Sequence, residues 1–392
     1  MKLDEFYNHI PTLVNLKNYN LLEVLKGEKY RAANGPVPYL INLPFILLSD
    51  DKHSLTLAKI ITSIFGYLSL IIVFNIFLGK YRLTPELSFL YSLIILFCPY
   101  FLKPSFTFYM AIYGLFFYLA SVYLLMYNDE SLKNLFLAGV FLGLATLSQQ
   151  YYLPILGAYF FYFILIDNGA RILRINSKFI IKLLFVLLPP AILILMILIL
   201  WKGLVPTHFR FHEIKLDRFN ITLILTAIGT FLLPVTMFSL KNYKRYLLMI
   251  FLVALLLALL NFPKFSIVGG YGLATGISFN FINIFENKIF FLGLLLKIVF
   301  ITSGLVVLLE ILSNLRHDKL KKLLSLCFIF LFIGYVFNTI LAERHLLPLI
   351  VISYLLLLPS IKNQKYIVFY SILQILIGSI YYYYYLYIQT SY

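Results

Sequence analysis

The chain is 392 residues long, 62% hydrophobic and only 12% charged, with a mean hydropathy of +0.92. Soluble globular proteins carry roughly 25% charged residues, so this composition excludes that class and points to a polytopic membrane protein. The net charge of +16 is not the footprint of a nucleic-acid binder, because its Lys and Arg residues stand in short clusters between apolar runs, as the positive-inside rule requires. Only two cysteines occur, Cys98 and Cys327, both within or at the edge of apolar runs, which argues against a disulfide framework or a zinc site. The first residues are polar and acidic, unlike a secretory signal peptide.

The first element in chain order is "LDEFYNHIPTLVNLKNYNLLEVL". Helical spacing puts Leu3, Tyr7 (or Phe6), Ile10, Leu13 and Val14 on one face, with Asp4, Lys17 and Asn18 elsewhere. This is an amphipathic helix suited to the membrane interface. Next, in "KYRAANGPVPYLINLPFILLSDDKHSL", Gly35, Pro36 and Pro38 break the chain. The apolar stretch that follows, about eleven residues, is too short to span and reads as re-entrant or interfacial.

Apolar runs then recur to the end, with spans predicted at 56–79, 86–101, 106–127, 132–149, 151–167, 179–201, 219–240, 246–262, 288–312, 320–341, 344–359 and 366–388. The expected fold is therefore all-α, a bundle of about twelve transmembrane helices (56–392) preceded by an external segment (1–55). Tight hairpins are expected at 102–105 and 342–343, and a split at Gln149-Gln150. Six short loops, 80–85, 128–133, 168–182, 241–246, 313–322 and 360–365, hold 16 of the 32 Lys and Arg residues. The opposite loops are twice as long and contain ten of the sixteen acids. The first set is cytoplasmic by this asymmetry, which places residues 1–55 and the loops 202–218 and 263–287 outside. The closing "IYYYYYLYIQTSY" fits an external aromatic belt. Residues 1–55 reach the outside with no span ahead of them, so a preceding helix absent from this sequence is expected.

An acidic pair before an interfacial helix, a Pro-containing turn, a short apolar segment and then a long span resembles the first external loop of the GT-C glycosyltransferases. The stretches that carry the resemblance are "LDEFYNHIP", "NGPVPYLINLPFILL" and "LAKIITSIFGYLSLIIVFNIF". "CPYFLKPSFTFYMAIYG" is similar to the second external hairpin of that superfamily, and "GVFLGLATLSQQYYLPIL" to its Gly-rich helix with a polar break. "WKGLVPTHFRFH" and "AERHLLPLI" are similar to later external segments. The nearest groups are the bacterial and archaeal family-39-like transferases and the dolichyl-phosphate-glucose α-1,2-glucosyltransferases.

The resemblance implies an integral membrane enzyme of a prokaryotic plasma membrane, with its active site outside. It would move a sugar from a polyprenyl-phosphate carrier to a glycan, lipid or protein acceptor, without nucleic acid and without a cofactor. Such a reaction needs a base for the acceptor hydroxyl and positive charge for the departing phosphate. The resemblance makes Asp4 that base and Glu5 its neighbouring support; the competing reading is that both acids cap a helix N-terminus. His9, four residues beyond Glu5, shares its helix face and either orients the acid, touches the acceptor or is merely solvated. Lys103 is a candidate phosphate contact or a snorkelling lysine. Arg344 and His345 stand beside Glu343, and an arginine fork suits phosphate; the competing reading is an Arg344–Glu343 pair or a headgroup contact.

In "THFRFHEIKLDR", Arg210 and His212 are candidates for substrate contact, and His208 with His212 have metal-ligand spacing if helical, with no third ligand fixed. Many GT-C relatives carry a second acid in the second external hairpin. "SFTFYMAIYG" has none, so metal-independent transfer is expected. The glycine-rich "FPKFSIVGGYGLATGISFNF" reads as a mobile loop over the site or as an ordinary connection.

A transporter or flippase of a lipid-linked or small solute is the alternative. It predicts mid-span ionisable residues and two related halves. Lys59 and Lys297 lie towards span ends and no repeat is visible. A non-catalytic envelope-assembly subunit is a third reading.

Overall fold

Caps and prolines set where the helices start. Thr84 accepts a hydrogen bond from the Leu87 amide, with Pro85 first in the helix and Glu86 in its first turn; Ser131, Asp217 and Asp318 cap three more helices through Asn134, Phe219 and Lys321. Each side chain satisfies an amide that the helix leaves without a partner. The computed structural model describes residues 9–27, 29–49, 51–127, 131–167, 177–206, 216–265, 273–274, 276–338, 343–361 and 363–390, without the side chains of 51, 52, 167, 265, 273, 274, 343, 344 and 384–390. These residues are helical apart from loops and one two-residue parallel strand pair, β1 (Lys264–Phe265) with β2 (Leu273–Ala274).

The helices are α1 (Ile10–Asn18), α2 (Leu21–Lys26), α3 (Val37–Leu47), α4 (Asp51–Asn75, continued by a π-turn at Ile76–Lys80), α5 (Pro85–Leu96), α6 (Pro99–Ser105), α7 (Met110–Tyr127), α8 (Leu132–Ser148), α9 (Ile155–Asp167) and α10 (Ser177–Trp201). They continue as α11 (Arg218–Ser239), α12 (Leu247–Leu260), α13 (Ile277–Lys288), α14 (Phe290–Asn314), α15 (Lys319–Val336), α16 (Leu347–Leu357) and α17 (Gln364–Thr390). Among the described residues each predicted apolar stretch lies mainly on helical backbone.

Six of these helical stretches are long and apolar enough to cross a membrane, or seven if the bent α5–α6 pair is one span. That count is lower than the expected twelve for three reasons. The helical runs Leu132–Ser148, Gln150–Ile166 and Leu347–Ser360 fall below the roughly 20 apolar residues of a typical span. α15 opens with Lys319, Lys321 and Lys322. α11 and α12 run as one 43-residue stretch, kinked at Tyr243 where the backbone leaves helical geometry (φ −112°, ψ 16°).

The chain divides into two compact units, Met1–Phe211 with Gln374–Tyr392, and His212–Leu373. In the first, α7 is the core: it is buried along most of its length and packs against α4 and α8, while α10 packs on α8. In the second, α11 and α14 approach backbone to backbone. A methyl group on Gly229 would come 1.8 Å from the Phe300 carbonyl oxygen, and one on Gly304 2.1 Å from that of Leu225. Ser303 bridges the same seam by donating to the Gly229 carbonyl, with Thr236 at 2.8 Å from its hydroxyl. Small residues and hydroxyls at a helix crossing are the usual means of association in lipid, where no hydrophobic drive remains.

Two expected connections are helical instead. The hairpin at 102–105 lies on α6, and the turn comes earlier, at Phe97-Cys98, where the chain bends by 77°. Pro99 forces this: it disfavours helical geometry at Cys98, which is extended (φ −61°, ψ 123°), and itself suits the first turn of a new helix. The 263–287 loop contains α13, whose Phe279 and Ile282 are buried. Of the hairpin at 342–343, residue 342 lies outside the described residues. The predicted break at Gln149-Gln150 is present: α8 stops at Ser148 and Gln149 is extended.

Candidate functional site

α1 is amphipathic as expected, but a different face is buried. Thr12, Leu13 and Leu16 are buried, whereas Ile10 and Val14 are half-exposed. With His9 ahead of them these residues form an i, i+3, i+4, i+7 stripe, which α1 lays against α3. The stripe therefore faces protein, and it begins with a polar residue, His9, only 4% exposed. Burial rules out the solvated reading of His9. Its Nδ1 lies 2.5 Å from the Tyr39 hydroxyl, and its ring meets Tyr39 and Phe108 at centroid distances of 6.0 Å. When the phenol donates to Nδ1, the imidazole proton resides on Nε2 and makes that nitrogen a donor.

One set of hydrogen bonds holds residues 9–49 together, and a second fastens them to the rest of the first unit. Thr12 accepts from the Arg31 amide, Asn15 donates to the Lys29 carbonyl, and Lys17 donates to the Ser49 carbonyl. Trp201, at the end of α10, donates its indole N–H to the Leu25 carbonyl at 2.7 Å. Gln150, in the polar break after α8, donates to both the Ala33 and the Leu204 carbonyls. Gly35 lies so close to α8 that a methyl group there would stand 1.8 Å from the Leu147 carbonyl oxygen. Beneath α3, Asn42 donates to the Tyr113 hydroxyl, which is 3.0 Å from that of Thr62.

Tyr30 closes this layer. It is fully buried between Tyr39 and Trp201, with ring centroids 5.5 and 5.4 Å away, and it donates to the Asn34 carbonyl. Burial, and secondarily the neighbouring Tyr39 phenol, push its pKa well above the ordinary 10.0.

The other predicted site residues divide into three groups. Asp4, Glu5, Arg210 and His212, with His208, lie outside the described residues. Lys103 lies in the first unit on α6, half-buried, its Nζ 3.5 Å from the Tyr381 hydroxyl and 5.7 Å from that ring's centroid. The same segment carries Phe108, which touches His9. Arg344 and His345 belong to the second unit, in a 3₁₀ turn at Glu343–Leu346. The side chains of Glu343 and Arg344 are not among those described, and the His345 carbonyl accepts a hydrogen bond from Tyr335. Among the described residues no group of three or more His, Cys, Asp or Glu side chains is placed to hold a metal ion.

Tyr30, Tyr39, Gln150 and Trp201 were not among the predicted site residues. The signal for Trp201 was its being the only tryptophan of the chain; that for Tyr39 was its place directly after the Gly35-Pro36-Val37-Pro38 turn. No family model matches the chain, and no curated protein or solved structure matches it significantly.

Proposed function

We propose that this protein is a GT-C-like glycosyltransferase that moves a sugar from a polyprenyl-phosphate carrier to an acceptor hydroxyl. In this reading the helices make about twelve crossings, residues 1–55 lie on the external side, and transfer needs no metal. The Asp4 carboxylate takes the acceptor proton as the acceptor oxygen bonds to the anomeric carbon. The bond from that carbon to the phosphate oxygen breaks, and polyprenyl phosphate leaves with the electron pair. Glu5 supports Asp4, His9 orients the pair through its Tyr39 contact, and Lys103 offsets the phosphate charge.

One observation carries the reading: residues 9–49 are fastened to the rest of the first unit by Trp201, Gln150 and the His9–Phe108 contact. A terminal acid does useful chemistry only if its attachment is fixed, and Asp4 is five residues from the anchored His9, within about 18 Å of chain. The transporter alternative gains nothing comparable. The half-buried Lys297 is paired with Glu286 at 2.6 Å near the start of α14, away from mid-span.

The test is sugar transfer from polyprenyl-phosphate donors by the purified protein. Asp4→Asn is expected to lower kcat by at least 100-fold, in line with general-base contributions of about 100- to 10,000-fold. Full activity in that variant removes Asp4 from the mechanism.

A further inference from the structure

The segment 277–291 has a surface that the proposed transfer reaction does not use. Successive residues of an α-helix are offset by about 100°, and on that wheel α13 has three separate sectors. One is buried: Ser278, Phe279 and Ile282, with Glu286 at its end. A second holds only asparagines, Asn280, Asn283 and Asn287, spaced i, i+3, i+7, of which Asn280 and Asn287 are exposed. The third is exposed and apolar up to its C-terminal Lys288: Phe281 (44%) and Ile284 (46%), with Phe285 stacked edge-on against Phe281 at 4.9 Å.

The buried sector is held firmly. Glu286 pairs with Lys297 of α14 at 2.6 Å, and Lys297 sits 4.6 Å above the Phe262 ring. Phe279 packs on Phe262 as well, at 5.3 Å. A methyl group on Gly293 would stand 2.5 Å from the Glu286 Cβ, so α13 and the start of α14 are in close contact.

We infer that α13 is an in-plane membrane helix, seated at the boundary between acyl chains and headgroups, with Phe281 and Ile284 in lipid and the asparagine stripe in water. A helix lying on protein in water needs two sectors, one buried and one polar. A spanning helix has no continuous polar stripe. Three sectors are what a helix requires when it meets protein, lipid and water at once. Exposed Lys288 ends this sector, its stem able to run along the apolar surface with the ammonium at the headgroups. Beyond it the exposed apolar surface resumes at Ile289 (57%), Phe290 (67%) and Phe291 (73%) at the start of α14, and α14 is itself long and apolar enough to cross a membrane. Continuity with that helix selects the bilayer as the occupant over a partner protein. The segment 277–288 is then an anchor of the second unit rather than part of a mobile cover, and this holds whatever reaction the protein performs.

The experiment uses the full chain in vesicles of phosphatidylcholine and phosphatidylglycerol, with a nitroxide attached to a single cysteine at 280, 281, 283, 284 or 287 in turn. The native cysteines, Cys98 and Cys327, are both buried. They are replaced by alanine, and the set is repeated with them retained. Relaxation by lipid-soluble oxygen is compared with relaxation by a water-soluble nickel chelate. Oxygen is expected to dominate at 281 and 284, with nitroxide depths of about 5–10 Å, and nickel at 280, 283 and 287. Nickel dominating at all five positions means a loop in water and overturns the proposal. Oxygen dominating at all five means a span, and shielding of 281 and 284 from both relaxants means a protein partner; either also overturns it.

Discussion

Gly35→Ala isolates the fastening of residues 9–49 to the first unit. The backbone of Gly35 does not have a positive φ, so alanine is conformationally acceptable there. On backbone entropy alone, the substitution would stabilise the folded state by about 0.4–1 kcal/mol. Against this, the new methyl group would stand 1.8 Å from the Leu147 carbonyl oxygen, 2.4 Å from its carbon and 2.9 Å from its Cα. These are backbone atoms of α8, so no rotamer change relieves the contact, and the two segments must separate. Overpacking of this kind costs typically 1–3 kcal/mol, occasionally more. The net expectation is about 1–2 kcal/mol against the docked state, or about 5- to 30-fold more undocked segment.

Trypsin reads this directly, because Lys26 and Arg31 are exposed on the same segment and cleavage follows the open population when reclosing is fast. Gly35→Ala is expected to be cut at these sites about 5- to 30-fold faster than the native protein in membranes, with sugar transfer falling in parallel. If the alanine variant resists trypsin as well as the native chain does, the close approach of Gly35 to α8 is wrong. The fastening argument then fails with it.

The Trp201→Phe variant keeps an aromatic ring beside Tyr30 but leaves the Leu25 carbonyl without its donor. About 1–3 kcal/mol of stability should be lost, visible as a lower Tm of the detergent-solubilised protein; an unchanged Tm contradicts the hydrogen bond. Docking should also weaken at high pH. Tyr30 stays neutral in the folded state well above 10.0, whereas an unfolded tyrosine ionises near pH 10. Its contribution is therefore complete below pH 10 and is lost as pH rises from there towards the folded value. Tryptic cleavage should accelerate in that window and Tyr30→Phe should flatten the change, while an equal slope in both proteins assigns it to another group. Gly304→Val drives a branched side chain into the Leu225 backbone, and separation of α11 from α14 should lower the yield of folded protein; native yield and Tm would contradict the packing.

The helical architecture was legible because long apolar runs leave the backbone no partner but itself, and among the described residues the twelve stretches lie mainly on helices. The breaks were less legible. The stop at Gln149 was visible as two glutamines in an apolar run, but the bend at Phe97-Cys98 was placed too late, although Pro99 marks it. α13 was hidden because its glycine-rich approach, Val268–Gly276, suggests a loop, and its three-sector pattern has no single apolar stripe to find. The buried face of α1 was misplaced by one helical step. Ranking by hydrophobicity favours Ile10 and Val14, while packing chose Thr12 and Leu16 beside His9. The layer of Tyr30, Tyr39 and Trp201 depends on contacts between residues far apart in sequence, and residue spacing carries no record of these.

The account turns on whether a lipid-linked sugar is the substrate. Purified protein in vesicles should be offered one labelled sugar on a polyprenyl phosphate, on a nucleotide diphosphate and in free form, with separate measurements of covalent transfer and of movement across the bilayer. The account predicts transfer from the polyprenyl phosphate alone, abolished by Asp4→Asn, with no net transport of free sugar. Translocation of label without a new glycosidic bond would contradict it and establish the transporter reading in its place.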